Sequence, residues 1–293
     1  MPPDSPTPPG PTLPAARDFY SMPHAYDVLH GPGTAADVTA LERLAARFCR
    51  SPSRGRTWLE PACGTGRYLR VAARRGYRAI GFDLGPGMIA YAAARAERSP
   101  AARRPRFFVA DMTDFDQGRR LPRVDLAFNL INTFRHLPTD RAALAHLGAV
   151  SRVLRRGGVY AVGLSLSAYD LESPSEDVWT GRRGGTSVHQ VVQFLPPLGR
   201  RGDGRRAERV LSHLIIRRGG RAEEHVDSAY ALRGYDLRQW RRLVRDADME
   251  IAGVTDQAGE DAEPTEPGYF VFVLRPASTR PAAGRAAISD VTG

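Results

Sequence analysis

A chain of 293 residues, 42% hydrophobic and 25% charged, can bury one large core, or one core plus an insertion. Its formal charge of +10 would suit a polyanion, but all 42 basic residues are arginine beside 29 glycines and 23 prolines, the pattern of a coding bias, so the charge argues for no partner until it is located. No apolar run approaches the roughly 20 residues that span a bilayer, no secretory leader opens the chain, and Cys49 and Cys63 without clustered histidines make neither a disulfide framework nor a metal site, so a cytoplasmic protein without metal is expected.

Eight of the 23 prolines fall within the first 23 residues, so 1–14 is expected to be a disordered tail, and 276–293 reads the same way. Between the tails, short β-rich runs alternate with helical patterns, the signature of a parallel sheet with crossover helices. The pattern predicts strands at Thr57–Pro61, Arg78–Asp83, Arg106–Ala110, Val124–Asn129 and Gly158–Leu166. Helices are predicted between them at Arg67–Arg75, Pro86–Arg98 and Asp140–Arg155. In the last of these, Leu144, Leu147, Val150 and Leu154 recur at helical spacing, and Arg155-Arg156-Gly157-Gly158 supplies a cationic last turn and a glycine stop.

After Leu166 the character changes. Ser187–Leu195, Glu208–Arg217 and Glu224–Arg233 read as antiparallel strands separated by glycine-rich turns. A helix at Tyr235–Asp246 follows, and Met249–Thr255 and Tyr269–Leu274 close the sheet as an antiparallel pair. The expected fold is a doubly wound, Rossmann-like α/β domain formed by 15–166 and 235–275, whose mostly parallel sheet ends in an antiparallel strand pair. Residues 167–234 are expected as an inserted antiparallel β lid, too long for a simple connection and therefore a candidate substrate element.

The segment WLEPACGTGRYLRVAARRGYRAIGFD combines a buried strand, a glycine-rich turn, a helix and a second strand ending in an acid. Gly64 and Gly66 let the backbone turn sharply and approach a ligand at the helix N-terminus. Asp83, 17 residues after Gly66, stands where a carboxylate can accept both hydroxyls of a ribose. A dinucleotide site would need a third glycine three residues after the second, and Leu69 stands there instead. Glu60, four residues before Gly64, puts a carboxylate beneath the loop, which would repel a pyrophosphate and suits a cationic ligand.

On these residues the chain resembles the class I S-adenosylmethionine-dependent methyltransferases, whose first motif is an acid followed by alternating glycines. Glu60, Gly64 and Gly66 match it, and Ala62 stands where the family usually has its first glycine. The resemblance continues through Asp83, which in that family binds the ribose, and Gly85-Pro86-Gly87-Met88, which opens the next helix. In FFVADMTDF it assigns the adenine amino group to Asp111, beside the Met112 backbone. In VDLAFNLINTFRHL it puts Asn129 beside the methionine part of the cofactor. LRRGGVYAVGLS matches the glycine pair that introduces the fifth strand. The resemblance covers about residues 55–166 plus the terminal hairpin, and it implies S-adenosylmethionine as cofactor. Taken alone, Asp111 and Asp114 would read as a helix cap, and Cys63 reads as a small buried loop residue.

Methyl transfer from a sulfonium is an in-line displacement to which a protein contributes proximity, alignment and exclusion of water. An amine acceptor needs little else, whereas a hydroxyl needs a general base. His136, just after the fourth strand, is the candidate base, set against a packing or capping role. In DFYSMPHAYDVLHGPG a Tyr-Asp pair like Tyr26-Asp27 commonly folds over the cofactor in the family. Tyr20 and Tyr26 would then position the donor or the acceptor; the alternative is an amphipathic helix packed through its aromatic residues.

Residues 182–221 hold ten arginines against Asp203 and Glu208, a local +8. This stretch reads either as a solvated hairpin tip or as a surface from which Arg182 or Arg209 meets an anionic substrate. Trp179, Phe194 and Tyr230 line the same pocket or pack in the core. The fourth strand lacks the Asn/Asp-Pro-Pro-aromatic sequence of DNA adenine and protein glutamine methyltransferases. The expected reaction is transfer of a methyl group to nitrogen or oxygen of a small molecule, with an anionic acceptor as one form. The alternatives are an RNA methyltransferase using the arginine-rich lid, and a non-catalytic cofactor-binding protein of the same fold.

Overall fold

The computed structural model describes residues 19–50, 57–100 and 103–277. The two expected tails lie outside these, apart from Pro276, which ends the last strand, and Ala277. β1 (Thr57–Pro61) and β4 (Val124–Asn129) are buried along their whole length, as strands covered on both faces must be. With β5 (Leu154–Leu166) they form the middle of a seven-stranded sheet ordered β10-β11-β5-β4-β1-β2-β3. β2 (Arg78–Asp83) and β3 (Arg106–Val109) continue it in parallel on one side. On the other, β11 (Gly268–Pro276) and β10 (Met249–Thr255) add the antiparallel pair. Strand order reverses between β1 and β4, so the crevice outside their carboxyl ends is the natural ligand position.

One face of the sheet is covered by α5 (Asp140–Val153) and α6 (Leu237–Asp246), with Leu147, Val150, Trp240 and Leu243 packed on Phe82, Tyr160 and Phe272. The other is covered by α2 (Thr34–Phe48) and α3 (Arg67–Arg74), with Leu41, Leu44, Leu69 and Ala72 against Trp58, Phe128 and Val273. α4 (Pro86–Ala96) follows β2 and buries Met88 and Ala92. A short α1 (Pro23–Leu29) precedes α2 and leaves the domain to pack on the inserted sheet. No described helix is long and apolar enough to cross a membrane.

Leu69 has a structural counterpart. The dinucleotide folds bring helix and strand together by removing a side chain from the helix; here it is removed from the strand. A Cβ added to Gly81 of β2 would lie 2.3 Å from Leu69 Cδ1 and 2.8 Å from Cys63 Sγ.

The insert is a separate antiparallel sheet of four strands, β6 (Ser175–Arg183), β7 (Thr186–Leu195), β8 (Ala207–Arg218) and β9 (Glu224–Arg233), in sequential order. The sequence pattern predicts only the last three. β6 is an edge strand in which Gly181 alone is buried, so SEDVWTGRR carries no alternation to mark it. The predicted α5 is also too long. It stops at Val153, and Arg155 lies in β5, where its guanidinium meets the buried Asp125 carboxylate at 3.1 Å.

Arginines fasten the lid to the core. Arg206 and Arg233 both reach Asp140 at the start of α5, at 3.1 and 3.0 Å, and flank the Tyr235 ring. Arg135 pairs with Glu208 and donates to the Arg233 carbonyl at 2.8 Å. Arg206 sits in the stretch read as a hairpin tip, yet it is buried. Part of the arginine cluster is therefore neither a solvated tip nor a substrate surface.

Gly81→Ala is expected to lower stability by about 1–3 kcal/mol through overpacking, read by chemical denaturation. Trimming the opposing side chain in Gly81→Ala/Leu69→Val should recover part of that loss, and a purely additive pair would contradict the contact.

Candidate cofactor and acceptor site

The glycine loop crosses the crevice between β1 and α3. Ala62, Gly64 and Gly66 have φ of 48, 51 and 65°, all left-handed, a conformation that costs a residue with a Cβ about 1 kcal/mol. Ala62 thus adopts a backbone conformation that favours glycine. Gly66 also lies against Phe107, whose ring would be 2.5 Å from an added Cβ. Asp83, at the end of β2, accepts from Gly64 N–H and Gly85 N–H, each at 2.8 Å. Burial pushes its carboxyl up, and these two bonds oppose that. A carboxylate has lone pairs left after two such bonds, so ribose hydroxyls can still be accepted. Met88 packs beside Gly85, buried at the start of α4.

Glu60 lies beneath the loop, buried, and its Oε2 has no hydrogen-bond partner among the described residues. Burial pushes its carboxyl well above the usual carboxylate range, Arg67 opposing and Asp83 adding. Arg67 is itself buried, held by Thr34 Oγ1 at 2.8 Å and stacked 3.8 Å from the centre of the Tyr68 ring. A buried carboxyl with an open oxygen beside a buried guanidinium fits the ammonium and carboxylate of an amino acid end, so these residues fit S-adenosylmethionine. Arg67 escapes a reading of the sequence because one arginine among 42 carries no mark.

Two expected cofactor residues also make contacts within the fold. Asp111 Oδ1 accepts from the Thr113 N–H and hydroxyl, both at 2.7 Å, so it caps a turn. Asn129 is buried, with Nδ2 donating to the Pro61 carbonyl and Oδ1 against the Tyr160 hydroxyl. Its side chain is thereby spent inside the fold, a correction to the expected cofactor contact. Tyr160 in turn stands 2.7 Å from His146 Nε2, whose Nδ1 lies 3.0 Å from the Met112 carbonyl. This buried chain ties the Met112 backbone to the glycine loop. Burial lowers the His146 pKa to about 4, so the ring is neutral.

On the acceptor side, Tyr26 covers the loop, its ring 3.6 Å from where a Gly64 Cβ would be. Burial pushes its phenol up to about 12, so it keeps its proton. Tyr20 hydroxyl lies 3.1 Å from His136 Nε2, and His136 stacks on Tyr230 with ring centres 5.5 Å apart. Tyr20 also meets Tyr26 and Tyr230, at 5.9 and 5.7 Å. These four side chains, from separate segments, converge. Trp179 does not join them; it packs against His30 at 5.4 Å, on the far side of Tyr26.

Arg182 and Arg209 are exposed. The pleat turns their neighbours inward, Arg183 to Asp27 and Glu208 to Arg135. Asp27, one residue after Tyr26, is 1% exposed. Burial pushes its carboxyl up, but Arg70, followed by hydrogen bonds from Arg183, Arg70 and Thr65, outweighs this and holds it at about 2.

Residues 59–158 match the family model described as a methyltransferase domain. Among solved structures, DesVI of Streptomyces venezuelae superposes with a TM-score of 0.68 at 20% identity, over 89% of this chain and 99% of that one. The sugar N-methyltransferase KedS8 of a Streptoalloteichus species gives 0.63 at 23%, over 94% and 99%. CalS10, an amino pentose methyltransferase of Micromonospora echinaspora solved with S-adenosylmethionine bound, gives 0.57 at 23%, over 82% and 89%. No curated protein sequence matches the chain. Sheet order and loop are those of the fold these methyltransferase structures share, and the matched segment contains both the loop and the strands around it. Residues 59–158 are thus a methyltransferase domain, and the residues of its loop fit S-adenosylmethionine.

A cationic group beside Glu60 favours loss of its proton. Affinity for S-adenosylmethionine should therefore fall below the raised Glu60 pKa, by about tenfold per pH unit. Calorimetry in buffers of different ionisation enthalpy should detect proton release on binding, and Glu60→Gln should abolish it; release that persists in the variant would point to another group.

For Asp27 the folded pKa of about 2 lies below the ordinary 3.8. Its stabilisation is complete above that ordinary value and is lost as pH falls towards 2, about 2 kcal/mol in all. Urea titrations at neutral and acid pH should show this part of the acid sensitivity missing in Asp27→Asn.

Proposed function

We propose that the chain methylates an amine nitrogen of a small, hydroxyl-bearing acceptor held between Tyr20, His136 and Tyr230 and the inner face of the lid. The observation that carries this reading is the convergence of those three side chains with Tyr26, which covers the glycine loop. When bound, S-adenosylmethionine supplies an electrophilic methyl group on a cationic sulfur. Tyr26 excludes water from the loop side, and the aromatic faces of Tyr20 and Tyr230 suit a cationic amine. His136, against the Tyr20 hydroxyl, is the group to hold the proton that an ammonium must give up before its lone pair can attack. Tyr26, which keeps its proton, acts by position.

The inner face of the lid supports a hydroxylated acceptor without an anionic group. Gln190, Ser212 and Ser228 are buried in an otherwise apolar surface, two positions along β9 from Tyr230 in the case of Ser228. Gln190 Nε2 donates to Ser212 Oγ at 2.6 Å, while Gln190 Oε1 and Ser228 Oγ have no hydrogen-bond partner among the described residues. Such groups are costly unless a ligand meets them. An anionic acceptor would call for arginines there, whereas Arg182 and Arg209 face outward. The sugar N-methyltransferase and the amino pentose methyltransferase among the similar structures support an amino sugar as the acceptor class.

The test is a panel of amino sugars incubated with the enzyme and cofactor, with the product located by mass spectrometry and NMR. His136→Asn should lower kcat/KM about 100-fold where the amine is protonated, with cofactor affinity unchanged. A product methylated at oxygen, or transfer to RNA alone, would overturn the reading.

A further inference from the structure

Asp27 is bonded beyond what one side chain in a short helix needs. Its Oδ1 accepts from Thr65 Oγ1 at 2.9 Å and Arg70 Nη2 at 2.8 Å. Its Oδ2 accepts from the Tyr91 hydroxyl at 3.1 Å and from Arg183 Nη1 at 2.5 Å, with Arg95 Nε at 3.7 Å. The donors come from different parts of the fold. Thr65 lies between the two glycines of the loop, Arg70 is on α3, Tyr91 and Arg95 are on α4, and Arg183 is on the lid strand β6. One guanidinium would neutralise the carboxylate. Three surround it, and Arg95 Nε has no hydrogen-bond partner among the described residues.

α1 itself is seated directly on the lid. A Cβ added to Gly181 of β6 would lie 2.3 Å from the Val28 carbonyl oxygen, so the helix backbone touches the strand. His24, one turn before Asp27, stands 3.4 Å from both Arg183 Nη2 and Thr186 Oγ1. Its pKa is lowered, by burial first and then by Arg183, so the ring adds no competing charge near neutral pH.

We propose that Asp27 is a positioning residue that locks the cofactor loop to the acceptor lid across α1, and thereby holds Tyr26 over the loop. Through Thr65 it grips the loop, and through Arg183 it grips the lid. Because Gly64 lies beneath Tyr26, cofactor exchange requires α1 to lift, and Arg183 is the bond that holds α1 to the lid as well as to the loop. Retention of the cofactor and closure of the lid are then one event, and a lid arginine outside the loop governs how long the cofactor stays. The inference rests on the cofactor site and not on the identity of the acceptor.

The test compares Arg183→Gln, which leaves Asp27 paired with Arg70, with Arg183→Lys, Asp27→Asn and Arg221→Gln, a change at the exposed β8–β9 turn. S-adenosylhomocysteine dissociation is followed by stopped-flow fluorescence, and hydrogen exchange is measured over residues 23–29. Arg183→Gln should release the ligand about tenfold faster than the native chain, with faster exchange in α1; Arg183→Lys should fall between, and Arg221→Gln should match the native chain. Asp27→Asn and Arg183→Gln should combine less than additively. Unchanged release from Arg183→Gln would overturn the proposal. So would faster exchange in α1 with release unaltered, which is the behaviour of a merely structural ion pair.

Discussion

A carboxyl group taken out of water must be met by donors or keep its proton, and three of them surround the glycine loop. Asp83 is met by two backbone N–H groups of the loop and the α4 entry, which fixes the turn. Asp27 is met by guanidinium and hydroxyl groups from the loop, two helices and the lid, and stays charged. Glu60 has an oxygen that no described residue meets. The first two hold the loop and its cover in place, and the third leaves one opening suited to a cation. The placement of Tyr26, the closeness of α1 to the lid and the shape of the crevice all follow from how these acids are satisfied.

Arginine does the joining because this chain has no lysine. A planar fork with five donors can bridge a carboxylate and a carbonyl at once, which an ammonium on a flexible stem does less well. Arg206 and Arg233 do so at the base of the lid, sharing Asp140 while donating to the Gly234 and Pro138 carbonyls. At its far edge Arg183 joins the Asp27 carboxylate to the Tyr91 hydroxyl. The lid is thus held at two ends by buried or half-buried ion pairs, and between them its inner face meets α1 and the Tyr20–His136–Tyr230 group. Part of the positive charge concentrated in this stretch is therefore architecture.

Much of the fold was legible because periodicity and spacing are local. The strands around the loop, the acid at Asp83 and the glycines at 64 and 66 announce themselves within one continuous segment. β6 did not, since an edge strand buries only Gly181 and has no alternation to read. Arg155 was misread as a helix ending because its partner, Asp125, lies 30 residues away. Asn129 was misread for the same reason: its environment is made by Pro61 and Tyr160. Among the lid arginines, position alone could not tell Arg182 from Arg183, and a half-turn of the pleat separates an exposed side chain from the one that grips Asp27.

By itself the sequence determined the class of sheet, the turn that approaches the cofactor, and the chemistry that turn can accept, because each depends on residues within a few positions of one another. Only the tertiary structure decided which polar groups are spent and which are open. That distinction depends on partners distant in the chain. Asp27 and Glu60 are both acids near the loop, yet one is surrounded by donors that the fold brings in from α3, α4 and β6, and the other is left with an oxygen that the fold gives nothing to bind.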